Sequence, residues 1–289
     1  MVNRGIMVWT GKKSVPAAWR SLVSSQDVVG IKVYSAPGPN SGTRPAVAAG
    51  VVEGLLAANV PPTNIIVWDK EIDHLRSAGF LDLAARYGIR VEGSAAAGYD
   101  EQVFYSPEKP ILGQLIFGDL EFGRQGDKVG RKSFVSKLVS KGMTKIINMP
   151  SLLNHYRAGV CGNLYSLTMG SVDNTFRFES DTERLATAVP EIYALPALGD
   201  RVVLNIVDAL ICQYEGENTS RLHDSAALNQ LRFSADPVAL DVLSLEEVTR
   251  QREAAKLAIN TNRFDLFPNA SELELGVSDQ SRIRIERVN

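Results

Sequence analysis

The sequence predicts an α/β protein with a mainly parallel sheet, built from β-α-β units and flanked by helices. Three observations carry this reading: a strand–helix–strand pattern over residues 27–69, its repetition further along the chain, and polar segments placed directly after apolar runs. Val28-Val29-Gly30-Ile31-Lys32-Val33 is short, apolar and rich in β-branched residues, as a buried strand requires. Residues 36–42 are Ala, Pro, Gly, Asn and Ser throughout, which is loop chemistry. Thr43 stands where an N-cap belongs, and Pro45 falls in the first helical turn, where its missing N–H costs nothing. Val47, Val51, Leu55 and Ala58 then recur at helical spacing on one face. Pro61-Pro62 stops that helix, and Ile65-Ile66-Val67-Trp68 reads as a second strand ending at Asp69. A strand, a crossover helix and a second strand imply parallel pairing.

The same alternation continues. A helix is predicted over residues 75–87, a strand over 89–91, and an irregular or β-rich insertion over 94–130. A helix over 134–141 leads to the strand Lys145-Ile146-Ile147-Asn148-Met149, stopped by Pro150. A polar, glycine-punctuated stretch fills 151–180, followed by a helix over 182–192 and a strand over 201–207 that ends at Asp208. A loop over 216–228 leads to a strand over 231–234, and Asp236-Pro237 opens a helix over 238–258. Residues 282–288 alternate Arg-Ile-Arg-Ile-Glu-Arg-Val and read as a half-buried closing strand. The reading is one α/β domain over 1–289, with a division into lobes at about 1–150 and 151–289 as the alternative.

Composition removes several classes of function. Hydrophobic residues at 45% and charged residues at 22% match ordinary globular usage, so a disordered chain is not expected. A formal charge of −2 gives no electrostatic footprint for nucleic acid. No apolar run reaches the roughly 18 residues of a membrane span. Cys161 and Cys212 are too few for a four-thiolate iron–sulfur cluster and lack the paired spacing of a cysteine zinc site. Both sit in apolar contexts and read as buried free thiols. The start Met1-Val2-Asn3-Arg4 shows no secretory leader.

In open parallel sheets, ligands bind outside the carboxyl ends of the strands. That rule marks the 37–44 loop, Asp69, residues 150–163, Asp208 and the 234–236 turn as neighbours on one edge. The Gly38–Gly42 loop before a helix offers backbone amides to an anion, and Arg44 can grip a carboxylate bidentately. Its glycine spacing fits neither the dinucleotide fingerprint nor the nucleotide P-loop. His155, after a strand, is a candidate proton-transfer group or metal ligand, whereas His74 and His223 read as surface residues. Asp208 and Asp69 are candidate catalytic carboxylates, and His155 with Asp208 is the candidate pair for a divalent metal. Lys32 and Asn163 join Arg44 as candidate substrate-binding residues. Asp236 reads as a helix cap, and no Gly-x-Ser-x-Gly elbow is present.

Several of these blocks resemble a known family. Asp27-Val28-Val29-Gly30-Ile31-Lys32-Val33, Ile65-Ile66-Val67-Trp68-Asp69, Asn154-His155-Tyr156-Arg157-Ala158-Gly159-Val160, Ile206-Val207-Asp208-Ala209 and Asp236-Pro237-Val238-Ala239-Leu240-Asp241 are similar, in order, to the bacterial family catalogued as domain of unknown function 362. Relatives with a twin-arginine export leader imply the cell envelope; without such a leader the cytoplasm is the expectation. Thr43-Arg44-Pro45, and His155 followed by Ala158-Gly159-Val160-Cys161-Gly162, also resemble segments of the nickel-pincer lactate racemase family. That likeness implies Arg44 as carboxylate anchor and His155 as a polar site residue. Tyr165 stands where that family attaches its cofactor to a lysine, and a phenol cannot form that linkage. Two functions remain open: an enzyme acting on a small carboxylate- or hydroxy-acid-type metabolite, and a non-catalytic envelope protein binding a small anion or metal. The oligomeric state is not legible.

Overall fold

The computed structural model describes residues 1–107, 118–121, 131–259 and 264–288. The amino-terminal helices α1 (Val2–Thr10) and α2 (Val15–Arg20) precede β1 (Val29–Val33), the short turn α3 (Gly38–Ser41) and α4 (Pro45–Ala57). Then come β2 (Ile65–Asp69), α5 (Ile72–Ser77), α6 (Phe80–Tyr87) and β3 (Arg90–Gly93). The hairpin strands β4 (Tyr99–Tyr105) and β5 (Ser133–Ser136) lead through α7 (Lys137–Ser140) to β6 (Lys145–Met149), β7 (Ser151–His155) and β8 (Gly159–Val160). The chain continues as α8 (Asn163–Ser171), α9 (Phe176–Glu179), α10 (Thr182–Tyr193), β9 (Val202–Gln213) and β10 (Ser225–Ser234). It closes with α11 (Pro237–Ala254) and α12 (Leu266–Glu272).

The predicted sheet is present and mainly parallel. β1 pairs in parallel with β2 on one side and with β6 on the other, and β3 extends the sheet beyond β2. β9 runs parallel to β6 near Asn205 and to β7 at Asp208, while antiparallel β10 takes its other side along most of its length. β6 and β7 therefore lie end to end along β9, interrupted at Pro150, whose carbonyl accepts from the Asp208 amide at 2.9 Å. Side chains alternate across this sheet into two cores. Val29, Ile31, Val33, Ile65, Val67, Ile147, Leu204 and Ile206 meet α1, α2, α4 and α6. Ile66, Trp68, Ile146, Val207 and Ala209 meet α8, α10, α11 and α12.

The structure corrects several element boundaries. The helix expected over 75–87 is two helices, because Gly79 takes a left-handed backbone at φ 89° and turns the chain between α5 and α6. The helix expected over 134–141 begins as strand: Phe134 pairs with Phe104 of β4, leaving one helical turn in α7. The insertion over 94–130 is an antiparallel hairpin where described; residues 108–117 and 122–130 lie outside the described residues. β9 does not end at Asp208 but runs on to Gln213, and β10 starts at Ser225 rather than 231, because each satisfies the other's backbone across the ladder. The carboxy-terminal strand is absent. Residues 283–288 carry no strand, and Ile285 and Val288 are 59% and 43% exposed. Alternation alone does not hold a strand when no neighbouring edge takes up its hydrogen bonds. Thr43 is not the cap of α4; Arg44 occupies that position, and the Thr43 hydroxyl is committed elsewhere. The polar, glycine-punctuated stretch over 151–180 forms β7, β8, α8 and α9 and is largely buried.

Candidate functional site

Strand order reverses at β1, whose neighbours β2 and β6 lie on opposite sides, so the carboxyl ends of β1 and β6 frame the crevice where such sheets place ligands. Thr43 staples the segment leaving β1 across that crevice. Its hydroxyl donates to the Met149 carbonyl at 2.5 Å and accepts from the Tyr34 amide at 2.9 Å. Arg44 follows, and both oxygens of Asp208 are taken by it: the backbone N–H reaches Oδ2 at 2.9 Å and Nη1 reaches Oδ1 at 2.8 Å. The anion that this helix start was expected to bind is thus supplied by the chain itself. Burial pushes the Asp208 carboxyl above its ordinary range even against the pull of Arg44.

Lys32 and Asp69 form a second internal pair. Lys32 lies in β1 facing the α8 core and is fully buried; its Nζ donates to Asp69 Oδ1 at 2.9 Å, to the Val33 carbonyl at 2.7 Å and to Ser166 Oγ at 3.1 Å. Asp69 Oδ2 accepts from the Ser35 amide and hydroxyl at 2.8 and 2.7 Å. Burial pushes the Asp69 carboxyl up, but Lys32 and Ser35 outweigh it and hold it below the usual range. For Lys32, burial prevails over Asp69 and lowers the ammonium pKa.

Helix α8 is buried along its whole length, so each of its polar groups needs a partner inside the protein. Its first turn is capped by Asp241, which accepts from Asn163 N at 2.6 Å, Asn163 Nδ2 at 2.8 Å and Leu164 N at 2.9 Å. Asn163 is therefore a structural cap partner; its carbonyl also receives Asn148 Nδ2 at 2.9 Å. Burial pushes the Asp241 carboxyl to about 7 against the pull of those donors. Two residues into the helix, the Tyr165 hydroxyl donates to Glu179 Oε1 at 3.1 Å, and its ring lies 4.3 Å from the His155 ring, centre to centre. Tyr34 and Cys161 complete this polar interior, within interaction distance of one another and of Tyr165, and burial raises the pKa of all three.

His155 ends β7 and is 4% exposed. Its Nδ1 accepts from the Ala158 amide at 2.9 Å and the Arg157 amide at 3.3 Å. Two backbone donors hold Nδ1, so the neutral ring carries its proton on Nε2 and presents a donor there. Burial, with Arg157 nearby, lowers its pKa to about 4. Asp208 faces the core of Ile206 and Leu210, whereas His155 and Tyr165 face the other. His155 and Asp208 are on opposite sides of the sheet and cannot ligate one ion together. Among the described residues, no group of three or more His, Cys, Asp or Glu side chains is placed to hold a metal. No described helix is long and apolar enough to cross a membrane.

Sequence reasoning missed a second cluster at this edge. Lys70, next after Asp69, is half-buried; its Nζ lies 3.5 Å from Thr175 Oγ1, and Thr175 Oγ1 lies 3.4 Å from Glu179 Oε2. Burial lowers the Lys70 pKa, opposed chiefly by Glu179 and then by Asp119, Glu71 and Asp173. The rule that singled out Asp69 at a strand end covers Lys70 equally. Thr175 and Glu179 carry no comparable signal, because only the fold of α9 brings them there.

Fold and site together define an open, mainly parallel α/β protein with a polar interior under its carboxyl edge. Within that class the chain belongs to the family described as "Domain of unknown function (DUF362)", whose model matches residues 29–246. None of the curated proteins matches the chain. Among solved structures, a protein from Thermotoga maritima is similar at 11% identity and a TM-score of 0.46, covering 84% of this chain. The chain spans 57% of that protein's length.

Proposed function

We propose that this chain binds a small, hydroxyl-bearing metabolite at the carboxyl edge of its sheet, beside Lys70, Thr175, Glu179 and Tyr165. The supporting observation is that the two cations best placed to anchor a substrate carboxylate are already occupied. Arg44 holds Asp208 at 2.8 Å and Lys32 holds Asp69 at 2.9 Å. What remains at the edge is a set of hydroxyls and a half-buried lysine balanced by Glu179, which suits a neutral polar ligand better than an anion. Action as an enzyme on such a ligand is a second reading, favoured by Lys70, an amine whose charged form is disfavoured by burial.

Titration calorimetry with glycolaldehyde and glycerol, against lactate and inorganic phosphate, tests the first reading. The neutral compounds should bind, and Glu179→Ala should weaken them by about fivefold or more, the loss of roughly one hydrogen bond. Binding confined to lactate or phosphate would overturn it.

A further inference from the structure

Resting on that reading of the site, we propose that Lys70 is an amine nucleophile that captures a small hydroxy-aldehyde or hydroxy-ketone as an imine, with Glu179 carrying the protons. The arrangement that supports this is a contiguous set of groups. Lys70 is held at its backbone by two contacts: its N–H donates to Asp69 Oδ1 at 2.8 Å, and its carbonyl accepts from the Ala95 amide at 3.1 Å. The backbone of Lys70 is thereby fixed at the strand end, and its Nζ lies 3.5 Å from Thr175 Oγ1. Beyond Thr175, Glu179 is bonded on its other oxygen by the Tyr165 hydroxyl at 3.1 Å. Lys70 forms no ion pair within 4.0 Å among the described residues, in contrast to Lys32. Burial also disfavours the ammonium, which lowers the cost of releasing its proton to Glu179.

The chemistry balances without an oxidant or a second substrate. Glu179 takes a proton from the Lys70 ammonium, and the amine lone pair forms a C–N bond to the carbonyl carbon while the π pair moves to oxygen. A proton passes from nitrogen to that oxygen, giving the neutral carbinolamine. Glu179 then returns its proton to the hydroxyl, the C–O bond breaks, water leaves, and the nitrogen lone pair closes the iminium. Ammonium plus carbonyl becomes iminium plus water, and the carboxylate is regenerated. The acidic surroundings of Lys70, which include Glu71 and Asp173, select a neutral carbonyl compound over a keto acid.

Reductive trapping tests the proposal. The full-length protein is incubated with limiting glycolaldehyde and sodium cyanoborohydride, and adducts are mapped by peptide mass spectrometry. Lys70 should be modified at least about tenfold faster than the exposed Lys12 and Lys13. Lys70→Arg should abolish that adduct, and Glu179→Gln should slow it about tenfold or more while the fold, read by circular dichroism, is retained. Trapping at Lys12 and Lys13 that equals or exceeds Lys70 overturns it, as does an unchanged rate in Glu179→Gln. The calorimetric titration separates the two levels: glycolaldehyde that binds without selective trapping removes the nucleophile and leaves the binding site, whereas absence of both removes both.

Discussion

Arg44 closes on Asp208 with two different donors, its backbone amide and its guanidinium, one for each carboxylate oxygen. The pair welds the start of α4 to the middle of β9 across a sequence separation of 164 residues. Asp208 is fully buried, while the Arg44 side chain keeps 18% of its surface in solvent. The two ends of this contact are therefore unequal. An uncompensated carboxylate would be sealed inside, whereas an uncompensated guanidinium can turn outward.

Truncation should expose that asymmetry. Arg44→Ala is expected to cost about 3 kcal/mol or more, because it strands a buried charge, and Asp208→Ala should cost less. The double variant Arg44→Met with Asp208→Leu should recover most of the loss, since well-packed apolar groups often replace a buried pair. Urea unfolding midpoints provide the measurement. An Arg44→Ala effect below about 0.5 kcal/mol, the usual size at an open surface, would contradict the reading.

The contrast between what sequence shows and what it hides follows the same physics. The β1–α4–β2 unit was legible because each residue signals locally: β-branched runs, a proline at the first turn, helical spacing. Asp69, which does end β2, was legible by the strand-end rule. Asp208 was singled out on a premise that fails, since it lies within β9, and its place in the polar framework comes from its pairing with Arg44. The partners were not legible. Nothing in the sequence tells that the anchor Arg44 meets a carboxylate of its own chain, because that depends on the register of β9 beside β7. The closing strand failed for the opposite reason: residues 282–288 have the right local pattern but pair with no strand edge. Helix α8 was not legible within its polar, glycine-punctuated stretch because its polar side chains are satisfied by distant groups, Asp241, Lys32 and Glu179, invisible at short range.

Gly170 on α8 offers a stability test for the Lys32 pocket. A Cβ built there would lie 2.3 Å from Lys32 Cε, and Lys32 is pinned by three hydrogen bonds that limit its retreat. Gly170→Ala should therefore destabilise by about 1–3 kcal/mol through overpacking, despite the better helix propensity of alanine. Thermal unfolding that shows the variant equal to or above the parent would remove the claim of a rigid pocket.

Cys161 and Cys212 are both buried and unpaired with each other, and burial raises the pKa of each thiol. In the native state neither should react appreciably with a chromogenic aromatic disulfide at neutral pH. In guanidinium chloride both should titrate at once, giving two thiols per chain. Rapid labelling of the native protein would show that one of them is reached from solvent.

His155 yields the sharpest pH prediction. Its folded pKa of about 4 lies below the ordinary 6.5, so the unfolded chain binds the extra proton first as pH falls. The stability it contributes is complete above 6.5 and is lost as pH falls from there toward 4, by up to about 3 kcal/mol for the 2.5-unit span from 6.5 to 4. Burial is the chief cause, with Arg157 nearby, and Nδ1 already accepts from two backbone amides, so a proton placed there would also face both donors. Asp241 acts in the opposite sense, since its carboxyl is raised to about 7 and its contribution fades as pH rises toward that value. The parent curve alone therefore mixes the two groups, and the difference between parent and His155→Gln isolates one. At pH 7 the variant should be less stable by about 1–3 kcal/mol, from lost acceptors for the Ala158 and Arg157 amides. Toward pH 4 the gap should close, because only the parent has the histidine to protonate. A gap that stays constant from pH 7 to 4 would mean that His155 keeps an ordinary pKa, and with it that the ring is not desolvated as its burial implies.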